Sequence, residues 1–153
     1  MDVRFVNPVL ESLVNVLTTM ANIQPIPGKP SLKADNKSCG VVTGIIDLKG
    51  KQAIGSVAVS FSKSTALDLA KRMLRMDADE INDMIKDLVG EIANMVAGGA
   101  KAKLQKQGYD FDLTLPSIIA GEGHVVMHKV MGPTIILPFK TEAGEFFVEI
   151  CFE

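Results

Sequence analysis

Residues 87–101 read DLVGEIANMVAGGAK and continue a helical pattern that begins upstream. Apolar side chains fall at Ile81, Met84, Ile85, Leu88, Ile92 and Met95, with Val89 and Val96 at the edge of the stripe. That spacing is the period of a helix with one buried face. At roughly 100° per residue, Asp87, Glu91, Asn94 and Gly98 gather within an arc of about 60° beside the stripe. Glu91 and Asn94 stand about one turn apart, close enough for their side chains to reach one point in space. Gly90 and Gly98 flank them, although glycine inside a helix costs ~1 kcal/mol relative to alanine. Two such gaps serve either a face that receives another protein closely or tight packing of a neighbouring element. A carboxylate and an amide on a helix face are most often solvated surface, and spacing alone assigns them no chemistry.

Upstream of this stretch, Asp77 and Glu80 have capping-box spacing, so the long helix is predicted to start there and to end near Gly108. Ser62 to Thr65 cap a shorter helix that runs to Leu74 or Arg75. Val41 to Leu48 and Gln52 to Phe61 are rich in Val and Ile and form a predicted hairpin around Lys49-Gly50. Phe5, Val6, Val9, Leu10, Leu13, Val16, Leu17 and Met20 make an amphipathic first helix over Val3 to Met20, with Asn7 and Pro8 as N-cap and first-turn residues. Three prolines between Ile23 and Pro30 exclude a helix there and favour an extended edge. Lys33 to Ser38 is a loop, or a strand exposed on one side. Downstream, Leu113 to Ala120, Thr134 to Lys140 and Glu145 to Phe152 read as strands, the last two joined by a turn at Thr141 to Gly144. Helix, strands, two helices and strands in that order give an α+β fold, with helices packed on one face of a largely antiparallel β-sheet.

Composition narrows the function classes. A chain of 153 residues, 47% hydrophobic and 22% charged, is sized and balanced for one globular domain over 1–153. Net charge is −2, no basic run stands out, and there is no Trp and one Tyr, so nucleic-acid binding lacks electrostatic and stacking support. Cys39 and Cys151 belong to no paired motif and read as reduced thiols of a cytoplasmic protein. No secretory leader stands out, and the apolar runs break well before the ~18 residues of a membrane span. His124 and His128 lie in an irregular stretch with no third ligand, so no metal site is expected. Ala97 to Ala100 (AGGA) and Gly121-Glu122-Gly123 lack the strand–GxGxxG–helix context of a nucleotide loop. Cys39 has no adjacent base that would make it a nucleophile, and the methionines read as core filling.

Asp87-x3-Glu91-x2-Asn94, followed after twenty-one residues by Pro116, resembles the signature of the CheC/CheX family of chemotaxis phosphatases. The segments GHVVMHKVMGP and TIILPFKTEAGEFFVEICF resemble its CheX branch, and the likeness covers essentially the whole chain. The resemblance implies the CheC/CheX fold and hydrolysis of the aspartyl phosphate of a CheY-like response regulator. Glu91 and Asn94 would be the catalytic pair, inserted into the receiver's active site. There Asn94 would orient the attacking water while Glu91 pairs with the receiver's lysine. Asp87, Gly90, Gly98 and Lys101 would face the partner, with Asp87 either contacting it or only shaping an acidic surface. Pro116 would fix the strand entry behind the helix, a direct contact being the other option. The chain would need no cofactor of its own, the Mg being the receiver's, and would form a homodimer through sheet edges.

On the first helix Asn7-x3-Glu11-x2-Val14 echoes the motif, as a relic or by coincidence. Val14 replaces the amide, and Asn36 stands where a matching proline would fall. One site per chain follows. The alternative reading is a non-catalytic receiver-binding and dimerisation module of the same fold.

Overall fold

The computed structural model describes residues 3–153. Along the chain come α1 (Val3–Ala21), β1 (Ile26–Pro27), β2 (Ser31–Leu32), β3 (Val42–Gly50), β4 (Ile54–Phe61), α2 (Lys63–Leu74) and α3 (Asp83–Lys106). Four strands follow: β5 (Phe111–Leu113), β6 (Ser117–Ala120), β7 (Thr134–Lys140) and β8 (Glu145–Phe152). They form one antiparallel sheet in the order β1-β7-β8-β4-β3-β5, with β2 also on β7 and β6 also on β3. This is the expected α+β arrangement. Successive side chains of a strand face opposite ways, and β4 uses that alternation fully. Val57, Val59 and Phe61 join the core under the helices with Leu13, Leu17, Leu69, Ile85 and Ile92. Ala58 belongs to a second, small cluster with Ile45 and Val126.

Several element boundaries differ from the sequence reading, each for a packing reason. Lys49 and Gly50 continue β3, pairing with Ile54 on one side and with Asp112 and Phe111 on the other, so the hairpin turns at residues 51–53. Gly50 is needed there because a Cβ would stand 3.0 Å from the Phe111 ring. The long helix starts at Asp83, where the Asn82 side chain accepts a hydrogen bond from the Ile85 N–H, and not at Asp77. Met76, Ala78 and Ile81 are instead spent on a link that packs against the core. α1 begins ahead of Asn7 and carries Pro8 inside it. The proline forfeits one intrahelical hydrogen bond, but Phe5 and Val9 on the same face are buried, and Phe5 stacks on Phe152 at 4.7 Å between ring centroids.

The run Leu113 to Ala120 is two strands, broken at Thr114-Leu115-Pro116. Met84, counted into the stripe, is exposed, whereas Val89 and Val96 lie at its buried centre. Met20, Met127 and Met131 are exposed as well, so methionine is not confined to the core. No helix among the described residues is long and apolar enough to cross a membrane.

Candidate functional site

Two close approaches fix the rotation of α3. On its underside Gly44 of β3 lets the helix sink, since a Cβ there would lie 3.0 Å from both the Ala93 Cβ and the Val89 carbonyl oxygen. On its flank Gly99 admits Ser12 of α1, whose hydroxyl would collide with a Cβ at that position. The Ser12 Oγ donates to the Val96 carbonyl at 2.7 Å, bonding the two helices directly. With these two faces committed, the opposite arc must face outward.

Asp87, Glu91 and Asn94 are all exposed on that arc. Gly98 continues the row half-buried, with nothing within 4 Å of the place a Cβ would occupy. Lys101 lies half-buried one turn further. From Asp87 to Gly98 the row runs ~16 Å along the helix axis. Among the described residues, none makes a hydrogen bond or ion pair to the side chains of Asp87, Glu91 or Asn94. Their polar ends are free to meet a partner.

Gly90 is a correction to the partner-facing set. It is buried, and the room it leaves is filled by this chain: a Cβ there would stand 2.8 Å from Ile118 Cδ1 and 3.8 Å from Pro116 Cγ. Its function is to let β6 approach α3. Pro116 stands immediately before β6, with its ring toward Gly90.

The echo on α1 is also at the surface. Asn7, Glu11 and Val14 are exposed, but Glu11 pairs with Lys103 of α3 at 3.3 Å. Val14 brings no polar atom, so this second row offers no amide to a water.

The histidines serve the other face of the sheet. His124 bonds to the Thr43 hydroxyl and to the Gly121 carbonyl. His128 bonds to the Ser56 hydroxyl at 2.7 Å and to Glu149 at 3.0 Å. A carboxylate only accepts, so Nε2 of His128 donates to Glu149. Sequence reading missed Glu149, which is wholly buried and also pairs with Lys33 at 2.8 Å. The available signal was a carboxylate in mid-strand, set between the apolar runs 146–148 and 150–152. Among the described residues no group of three or more His, Cys, Asp or Glu is placed to hold a metal.

The geometry can be set beside known proteins. The family model for the chemotaxis phosphatase CheX matches residues 42–140. The CheY-P phosphatase CheX of Thermotoga maritima is 29% identical over 148 residues, 96% of this chain and 94% of that one. The crystal structure of a CheC-like superfamily protein from Shewanella sp. PV-4 superposes with a TM-score of 0.92 at 45% identity, covering 100% of this chain and 99% of that one. A CheX–CheY–BeF3–Mg2+ complex from Borrelia burgdorferi contains a chain that matches with a TM-score of 0.82 at 28% identity, over 97% of both chains.

Proposed function

Because this chain belongs to the CheX family of chemotaxis phosphatases, we propose that it hydrolyses the aspartyl phosphate of a CheY receiver domain, with Glu91 and Asn94 completing the receiver's active site. The observation that carries the reading is the outward row on α3, in which a carboxylate and an amide one turn apart have no partner among the described residues.

Hydrolysis of an acyl phosphate needs water in line with the departing carboxylate and demands little covalent work from a catalyst. Positioning therefore dominates. The Asn94 amide suits that task because its oxygen accepts a hydrogen bond from the water while its NH2 donates elsewhere. Glu91 sets the register by pairing with the receiver's lysine, a charge-assisted contact that gains strength as the interface sheds water. The Mg2+ belongs to the receiver, where it neutralises phosphoryl oxygens. Asp87 extends the acidic row toward the partner, and the open space over Gly98 admits the partner's backbone. The same family reading carries a homodimer through sheet edges.

The test is the decay of a phosphorylated CheY receiver with and without this protein. Wild type should accelerate it, and Asn94→Ala should remove most of the acceleration, about a hundredfold for loss of a positioned reactant. Decay unchanged by wild-type protein, with binding intact, would instead identify a receiver-binding module without catalysis.

A further inference from the structure

Opposite β3, the segment between β5 and β6 carries one residue too many. Leu48 pairs with Leu113 and Ile45 with Ser117, so Ile46 and Asp47 on β3 face three residues, Thr114, Leu115 and Pro116. This is a β-bulge, a device that re-aims a side chain and recurs beside active sites. The bulge is anchored at both ends. Thr114 Oγ1 accepts from the Asp47 N–H at 3.0 Å, and the Thr114 N–H donates to the Asp47 carbonyl at 3.0 Å. On the other side Pro116, with its fixed φ, restricts Leu115 to extended backbone and lies beside Gly90.

Between these anchors Leu115 is 89% exposed, more than any other large hydrophobic residue among those described. A lone exposed leucine is ordinary; one held out by a bulge with fixed ends is a different matter. Gly90, which faces Pro116, lies ~40° around α3 from Asn94 and one turn away. Leu115 thus stands one residue from the proline that packs beside α3, and Ile118, 37% exposed, packs against the same glycine.

We propose that Leu115 is a specificity-determining contact, a rigid apolar peg that seats against the receiver beside its phosphorylation site and holds it on this face. The proposal rests on the phosphatase reading above. The occupant is a CheY receiver because the peg adjoins Pro116, which packs beside Gly90 on the helix that carries Glu91 and Asn94, and because a related chain forms a complex with CheY. A peg of this kind acts on association, whereas Asn94 acts on the chemical step.

The experiment measures binding of a Mg2+- and beryllofluoride-loaded CheY receiver, together with steady-state dephosphorylation. It compares wild type, Leu115→Ser, Leu115→Met and Asn94→Ala. Leu115→Ser should raise Kd and KM about tenfold with kcat retained, the scale set by an apolar side chain left unburied in the complex. Leu115→Met should restore most of the affinity, and Asn94→Ala should lower kcat with Kd nearly unchanged. Leu115→Ser with wild-type Kd and KM, while Asn94→Ala is inactive, would overturn the peg and leave the phosphatase reading intact. Wild-type protein that neither binds the loaded receiver nor accelerates its decay would overturn both.

Discussion

At the scale of single residues, the catalytic proposal separates an uncharged side chain from a charged one. Glu91→Gln keeps the size and one acceptor oxygen of Glu91 but discards the charge. It should weaken binding of the loaded receiver about tenfold, in line with loss of a charge-assisted hydrogen bond. Replacing the receiver's active-site lysine by Met as well should add little further loss. A double-mutant cycle in which the two losses simply sum would remove Glu91 from its pairing role. The thiols give an independent check on placement. Cys151 is buried and Cys39 exposed. Burial pushes the Cys151 thiol above the ordinary cysteine value, so it stays protonated to higher pH than a free cysteine. Cys39 is raised too, by desolvation that Lys33 partly opposes. Alkylation of the folded protein should therefore show one reacting thiol, accelerating as pH rises, and a second that reacts only on unfolding. Helical spacing was enough to place Asp87, Glu91 and Asn94 on one outward arc. It put Gly98 on that arc and Gly90 off it, but could not tell which gap is open, because that depends on Ile118 and Pro116, which reach Gly90 only through the sheet.

At the scale of elements, the site depends on how α3 is pinned between α1 and β3. Gly99→Ala puts a methyl where the Ser12 hydroxyl sits and threatens its bond to Val96. Overpacking of this kind costs about 1–3 kcal/mol, visible as a lower denaturation midpoint. Gly99→Ala with Ser12→Ala should recover part of that loss, because the smaller residue frees the space. Gly98→Ala, one position away, meets nothing within 4 Å and should leave stability level or slightly raised. If Gly98→Ala also weakens receiver binding, the open space there is used by the partner. Element types were readable because period and turn chemistry are local. The cap of α2 at Ser62 was readable too, but the start of α3 was not, since Asp77 with Glu80 and Asn82 both carry capping signals. The choice fell to Asn82 because Met76, Ala78 and Ile81 pack on the core from the non-helical link. The bulge at Thr114 to Pro116 was hidden for a related reason: an extra residue shows only against the register of the strand opposite.

At the scale of the whole molecule, the sheet has two faces with different chemistry, and only one was legible. The helix face announces itself through apolar periodicity. The other is covered by segments remote in sequence, joined where Lys37 bridges Val125 and where the Ser38 N–H donates to the His124 carbonyl. Beneath them lies Glu149, fully buried, held by Lys33 from one covering segment and by His128 from the other. His128 in turn reaches Ser56 on β4, so a single carboxylate ties both segments to the sheet. Such a site is asymmetric in energy. Removing one partner strands a charge in a dry place and costs about 3–5 kcal/mol, whereas replacing the ions together by apolar groups of similar size is often neutral. Lys33→Met should therefore lower stability sharply in a denaturant titration, and Lys33→Met with Glu149→Leu should recover much of the loss. The α3 row lies across the sheet from this cluster, so folded Lys33→Met protein should keep wild-type kcat on a phosphorylated receiver. A fall in kcat at full foldedness would mean that the covering segments set the position of α3 through β3 and β4, and that the two faces are mechanically one.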